Sequence, residues 1–137
     1  VATGSFPTSW SNPSSGTDLV LGGNTARKLA SLVFAGLEPT QTIDASTYTK
    51  INISVWTSTG TSFKLKLVDF GANGGYAGGD DVEHELTLNP PTQNAWTYYS
   101  INLSDFTGLT TKAHIGQIIM SGSGGDFFID DIFFSKP

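Results

Sequence analysis

Apolar and polar residues alternate along several short stretches of the chain, and this two-residue period predicts β-strands with one buried face. The three clearest stretches are Lys50–Thr57, Phe63–Asp69 and Val82–Leu88. In the first of them Ile51 and Val55 share one face, so we expect Trp56 on the opposite face. Further strands are predicted over residues 18–22, 25–35, 42–48, 95–103, 115–121 and 126–134.

Other segments depart from a plain strand pattern. Segment 25–35 has enough spaced apolar residues for a helix, but the turn residues on both sides favour a strand. Alternation slips at Asp130 and Asp131, which predicts a β-bulge, and residues 103–106 are expected to form one helical turn capped by Ser104. Residues 1–17 are rich in turn-forming residues and are expected to be irregular, with Trp10 capping the core rather than contacting a ligand.

The number and spacing of these strands indicate the fold class. Eight or nine short strands separated by turns, with no convincing amphipathic helix, predict an all-β protein built as an antiparallel β-sandwich. A chain of 137 residues is long enough to enclose one core, so we expect residues 1–137 to form a single domain.

Charge and composition exclude several kinds of partner. A net charge of −5 and a single arginine leave no basic patch for nucleic acid or for an anionic membrane. The absence of cysteine excludes disulfides and thiol chemistry, and no apolar run reaches the roughly 20 residues of a membrane span. Abundant Ser, Thr and Gly with only 14% charged residues are typical of a secreted module, whose export signal would lie outside this sequence.

The loop between the second and third clear strands, residues 70–81, concentrates candidate chemistry. It contains five glycines, Tyr76 and the adjacent carboxylates Asp80 and Asp81. Calcium prefers carboxylate and carbonyl oxygens, which such a loop can supply, although the spacing does not match the helix-loop-helix calcium signature. The alternative is that these carboxylates are simply solvated.

Catalysis is poorly supported by the residue types present. The chain has two histidines and no nucleophile motif that either could serve. Glu83 and Glu85 offer paired carboxylates, but they share one strand face, and no acid and base roles can be assigned to them. We therefore do not expect an enzyme.

Aromatic residues on the outward face of the strands suggest a binding role. Alternation places Trp56, Trp96 and Tyr98 opposite the core, where sugar rings can stack on aromatic planes. Hydrogen bonds to sugar hydroxyls would come from the lysines and glutamates of the neighbouring strands: Lys64, Lys66, Glu83 and Glu85. For each aromatic residue taken singly, packing is the simpler explanation, and an error of one residue in phase would reverse the assignment of a whole strand.

Several of these segments together resemble the carbohydrate-binding modules attached to secreted bacterial polysaccharide hydrolases such as laminarinases, agarases and chitinases. The resemblance covers residues 22–135 and is carried by Ile53-Ser54-Val55-Trp56, Leu67-Val68-Asp69-Phe70-Gly71, Gly78-Gly79-Asp80-Asp81, Leu103-Ser104-Asp105-Phe106 and Phe128-Ile129-Asp130-Asp131. It implies a galactose-binding-like jelly roll without catalysis of its own, which holds an attached catalytic domain on its glycan.

The resemblance also implies a structural calcium ion. Modules of this fold take one calcium ligand from an Asp in the last strand, and Asp130 matches that position. They usually open with a strand that supplies further acidic ligands, whereas this sequence has no carboxylate before Asp18. The metal-ligand candidates are therefore Asp130, Asp80 and Asp81.

The predicted function is non-catalytic binding of a polysaccharide, either a β-glucan or a marine galactan, by a secreted monomer. The predicted carbohydrate contacts are Trp56, Trp96, Tyr98, Lys64, Glu85 and Tyr76. The alternatives are a structural or adhesive β-sandwich domain without affinity for sugars, and a small glycan lyase or hydrolase.

Overall fold

Ten strands and one 3₁₀ turn make up the regular structure in a computed structural model that describes residues 3–21, 24–72 and 80–136. The strands are β1 (Thr3–Ser5), β2 (Thr17–Leu21), β3 (Asn24–Leu29), β4 (Phe34–Pro39), β5 (Lys50–Thr57), β6 (Phe63–Asp69), β7 (Val82–Leu88), β8 (Trp96–Asn102), β9 (Ile115–Gly122) and β10 (Phe127–Ser135). In the described part of the chain, no helix is long and apolar enough to cross a membrane.

The strands form two antiparallel five-stranded sheets. Sheet 1 has the order β1-β4-β9-β6-β7, and sheet 2 has the order β2-β3-β10-β5-β8. The β2–β3 and β6–β7 pairs join strands that are consecutive along the chain, whereas the other neighbours are distant in sequence, as in a jelly roll. The predicted all-β sandwich is confirmed.

The core lies between the two sheets and is bridged by a stack of aromatic rings. Phe63 of sheet 1 is fully buried and stacks on Tyr99 and Phe127 of sheet 2, with ring centroids 5.5 and 5.9 Å apart. Ile51 and Val55 are buried as alternation predicted, and Trp56 points away from the core. Period-two patterning therefore predicted the inward faces of these strands correctly.

Of three predictions near the strand ends, two are confirmed and one is wrong. The bulge in β10 is confirmed, because the register with β5 shifts between Asp130 and Phe133 and Asp131 has a φ of 51°. The helical turn is also present, at Leu103–Asp105. The predicted cap is wrong, because the N-cap is Asn102 and no side-chain hydrogen bond caps the turn.

Two segment predictions are wrong, and a third holds for most of its segment. Segment 25–35 does not form one strand, because a turn at Ser31, with a φ of 51°, sends the chain from β3 in sheet 2 to β4 in sheet 1. The N-terminal segment contains the short strand β1, although most of it is irregular. Segment 42–48 makes only an isolated bridge from Ile43 to Ile115.

A local hydrogen-bonded turn replaces the strand that was predicted over 42–48. The backbone N–H of Ser46 donates to Asp44 Oδ1 at 3.0 Å, and the Ser46 hydroxyl donates to the same oxygen. These two hydrogen bonds, first that from the hydroxyl, lower the pKa of the Asp44 carboxyl. Side chains of this kind offer the backbone an alternative to sheet pairing, which explains why the strand stops here.

The pH dependence of stability tests the aromatic stack, because Tyr99 is an ionisable member of it. Burial raises the pKa of its phenol to about 12, and its hydroxyl donates to Asn89 O at 2.7 Å. The unfolded phenol ionises near its ordinary pKa of 10.0. The stability that the neutral phenol contributes is therefore complete below pH 10 and is lost as the pH rises through about 12.

We expect the free energy of unfolding of Tyr99→Phe to fall less steeply than that of the wild type between pH 10 and about 12. At neutral pH the variant should be about 1 kcal/mol less stable, because it lacks the hydrogen bond to Asn89. Urea unfolding at a series of pH values measures both effects. Tyr98→Phe, at a site that is 73% exposed, is the matched control and should follow the wild type. Equal alkaline slopes for Tyr99→Phe and the wild type would contradict the expectation.

Candidate functional site

The outer face of sheet 1 carries the best-defined candidate site. Every second residue of its strands points away from the core, and the register aligns these residues in rows across the sheet. One row contains Gly36, Ile119, Lys66 and Glu85, and the next contains Phe34, Ser121, Lys64 and Thr87. A cleft of about 570 Å³ lies on this face, and its walls include Trp10, Phe34, Glu38, Lys66, Glu85 and Gln117. We call it the sheet 1 cleft.

The irregular segment after β1 places Trp10 over this face. Thr8 N–H donates to Gly36 O at 3.0 Å, and Gly36 N–H donates to Ser11 Oγ at 2.9 Å, so the segment runs along β4. The hydroxyls of Thr8 and Ser11 are themselves 2.7 Å apart and buried. The Trp10 ring stacks on Phe34, with centroids 6.3 Å apart and an interplanar angle of 17°.

Glycine at position 36 permits this position of the Trp10 ring. A Cβ atom added to Gly36 would lie 2.2 Å from Cη2 of Trp10, which is far inside van der Waals contact. The ring therefore rests directly on the backbone of β4, and it stays 42% exposed. The interpretation of Trp10 as a cap on the core is wrong, because the ring lies on the outside of sheet 1.

Polar side chains beside the two aromatic rings supply both hydrogen-bond donors and acceptors. Gln117 Nε2 donates to Glu38 Oε2 at 2.8 Å, and Lys66 Nζ lies 3.6 Å from Glu83 Oε1. Glu85 is the cross-strand partner of Lys66. These contacts hold the polar groups against the sheet, where they can face a ligand that lies across the strands.

The structure separates the predicted carbohydrate contacts into two groups. Lys64 and Glu85 lie on the outer face of sheet 1, whereas the aromatic residues lie on the outer face of sheet 2: Trp56, Trp96 and Tyr98. The expectation that these lysines and glutamates flank the same aromatic platform is wrong, because the whole sandwich lies between them. Tyr76 is outside the described residues.

Sequence reasoning missed the aromatic part of the sheet 1 cleft. The sequence pattern places Phe34 inside a single strand over 25–35, and no motif distinguishes Gln117. Trp10 did stand out as a large aromatic residue in a segment rich in Ser and Pro. Its place over Gly36 depends on hydrogen bonds to a strand that follows later in the chain, so only a contact prediction would have found it.

The predicted metal ligands do not form one site. Asp80 lies against Gly71, where an added Cβ would meet its Cγ at 2.3 Å, and Asp81 precedes β7 of sheet 1. Asp130 lies on β10 of sheet 2 and accepts a hydrogen bond from Asp131 N–H at 2.8 Å. Within residues 3–21, 24–72 and 80–136, no group of three or more potential metal ligands comes together. Calcium binding stays a prediction, which thermal melting with and without a chelator would test.

Comparisons with known proteins identify the fold. No protein-family model and no curated protein matches the sequence. A family 11 carbohydrate-binding module from Clostridium thermocellum, solved with a β-1,3-1,4-mixed-linked tetrasaccharide, is 14% identical over 89% of this chain and 82% of its own, with a TM-score of 0.64. A family 30 module of a cellulosomal cellulase from Clostridium thermocellum is 15% identical over 98% and 90%, with a TM-score of 0.64.

A third similar structure is a family 28 module specific for non-crystalline cellulose. It is 14% identical over 88% of this chain and 79% of its own, with a TM-score of 0.59. The chain thus has the β-sandwich fold of carbohydrate-binding modules, which confirms the fold that the sequence resemblance implied.

Proposed function

We propose that this protein binds a polysaccharide in the sheet 1 cleft without modifying it. The observation that carries the proposal is the Trp10–Phe34 pair, which lies beside a row of hydrogen-bonding side chains on an open sheet face. Sugar rings are amphipathic, so a site for them needs an aromatic surface and polar groups together. The cleft supplies both.

The charge of the cleft favours a neutral glycan. Its walls contain three carboxylates, Glu38, Glu83 and Glu85, against the single ammonium group of Lys66. A uronate or sulfated chain would bring further negative charge to these carboxylates, and like charges disfavour binding. Neutral β-glucans are the ligands named for the similar modules of families 11 and 28, and they suit this charge distribution.

The biological role we propose is targeting. A module that binds a glycan without cleaving it is useful when it holds an attached catalytic domain on its substrate. The similar family 30 module is part of a cellulosomal cellulase, which supports this role. Cellulose, which the family 28 module binds, lies outside the cell, so we infer that a protein with a similar ligand is secreted. The low share of charged residues and the abundance of Ser, Thr and Gly support the same location.

Affinity electrophoresis across a panel of polysaccharides tests the proposal. The panel should contain mixed-linkage β-glucan, laminarin, hydroxyethylcellulose and agarose as neutral glycans, and alginate and carrageenan as anionic ones. We expect at least one neutral glycan to retard the protein and the anionic glycans to leave its mobility unchanged. Failure of every glycan to retard the protein would contradict carbohydrate binding and favour a structural role.

A reducing-end assay on the same panel separates binding from catalysis. After prolonged incubation with the pure protein, we expect no new reducing ends and no unsaturated products. Product release by the wild type that Glu83→Gln or Glu85→Gln abolishes would instead identify a glycan-cleaving enzyme.

A further inference from the structure

The outer face of sheet 2 carries a second set of aromatic residues, on the opposite side of the sandwich from the sheet 1 cleft. The register of β3, β10, β5 and β8 aligns one outward residue from each strand in a row: Lys28, Phe128, Trp56 and Trp96. With neighbouring strands about 4.8 Å apart, this row extends roughly 14 Å across the sheet. Tyr98 follows Trp96 on the same face and is 73% exposed.

Contacts within the row hold the Trp56 and Phe128 rings in place. Trp56 and Phe128 pack edge to face, with centroids 5.5 Å apart and an interplanar angle of 79°. Lys28 Nζ lies 6.0 Å from the centroid of the Phe128 ring and 3.6 Å from Asp126 Oδ2, so it closes one end of the row. A braced aromatic surface needs little ordering when a ligand binds, which favours affinity.

The polar residues next to this row on β5 and β8 are uncharged. The outward positions of these strands between the row and the far end of the sheet carry Asn52, Ser54, Tyr98 and Ser100, of which Ser54 is buried. One carboxylate, Asp130 of β10, lies across from Ser54. Surfaces that bind proteins usually add aliphatic groups or Arg to their aromatic residues, whereas hydroxyl and amide groups match sugar hydroxyls. The chemistry of this face therefore favours a glycan.

We propose that the Trp96–Tyr98 surface is a second glycan contact, independent of the sheet 1 cleft. Because the two sites lie on opposite faces of one sandwich, a single molecule would bridge two glycan chains. The inference rests on the proposed function for the class of ligand. It goes further in predicting two glycan-binding sites on one molecule.

A bridging assay tests this inference directly. Mixed-linkage β-glucan is fixed to beads, the full chain is captured on them, and fluorescent soluble mixed-linkage β-glucan is added after washing. A protein with one site, once captured, has no free site for the labelled glycan. We expect the wild type to recruit the label, and Tyr98→Ala and Trp96→Ala to be captured through the cleft but to recruit at least about fivefold less.

Ser104→Ala, at an exposed position on the 3₁₀ turn that follows β8, is the matched control and should recruit label like the wild type. Circular dichroism verifies that each variant is folded. Capture of the wild type without recruitment, or equal recruitment by wild type and Tyr98→Ala, overturns the second site and leaves the proposed function intact. A wild type that self-associates in size-exclusion chromatography would offer two copies of the cleft. If that self-association fully accounts for recruitment, it also overturns the second site. Absence of capture itself would instead contradict both proposals.

Discussion

Replacing Trp10 with alanine is expected to weaken glycan binding in the sheet 1 cleft by about thirtyfold, or roughly 2 kcal/mol. The ring is the largest aromatic surface in the cleft, and it rests on Phe34 and on the backbone of Gly36. Alanine would remove both the stacking surface and one wall of the cleft. Trp10→Tyr keeps a ring at this position and should retain a larger share of the affinity.

Isothermal titration calorimetry with a cello- or mixed-linkage oligosaccharide measures the change. The ring is only partly exposed, so its loss should also lower the free energy of unfolding by about 2 kcal/mol. The titrations should therefore be done well below the melting temperature of the variant. Val33→Ala is the matched control, because Val33 is 47% exposed and adjoins Phe34. A folded Trp10→Ala protein with an affinity within about twofold of wild type would show that Trp10 is not a binding residue.

Gly36→Ala gives a second variant that leaves the chemistry of the indole unchanged. The added methyl group would lie 2.2 Å from the Trp10 ring, so the ring must move off β4. We expect weaker binding together with a shift in Trp10 fluorescence in the free protein. Normal affinity with a displaced ring would show that the position of Trp10 does not matter for the ligand.

Asp69→Ala is expected to lower the free energy of unfolding by about 2–4 kcal/mol. The Asp69 carboxylate is fully buried, and its two oxygens accept from Gly71 N–H at 2.7 Å and from His114 N–H at 2.9 Å. Alanine would leave both backbone donors without this acceptor, and an unpaired buried donor loses its hydration without compensation. Asp69→Asn keeps one acceptor and should cost less.

Urea unfolding measures this loss as a lower midpoint at an unchanged slope. Asp105→Ala, an exposed carboxylate on the 3₁₀ turn, is the control and should shift stability by no more than about 0.5 kcal/mol. The hydrogen bond from His114 N–H ties the end of β6 to the residue before β9, and these strands carry Lys66 and Gln117. A stability change below about 0.5 kcal/mol for Asp69→Ala would mean that other groups satisfy these donors.

Asp69 shows why sequence patterns could not reveal this support. In the sequence it is the polar residue that ends the alternating stretch Phe63–Asp69, and nothing in that stretch indicates that it is buried. One of the backbone donors that its carboxylate accepts from belongs to His114, which follows it by 45 residues. The groups that surround a buried carboxylate come from distant parts of the chain. The sequence of the strand that carries the carboxylate therefore does not reveal its burial.

The candidate site could be predicted in part, strand by strand. Alternation correctly placed Lys64, Glu85 and Trp56 on the outward faces of their own strands. It did not indicate that these strands belong to different sheets, so the prediction that the three residues share one surface was wrong. The reason is that inward and outward are properties of a side chain on its own strand, whereas membership of a sheet depends on which strands pair.

The sequence by itself determined most of the strands, the outward or inward direction of their residues and the bulge at Asp130, because these depend on local patterns. The tertiary structure alone decided that β4 lies beside β9 and β10 beside β5, and with them both aromatic surfaces. Strands pair through backbone N–H and C=O groups that all residues share, so the choice of partner is set by packing of the entire core. Trp10 over Gly36 is one consequence of that packing, and it defines the cleft proposed to bind the glycan.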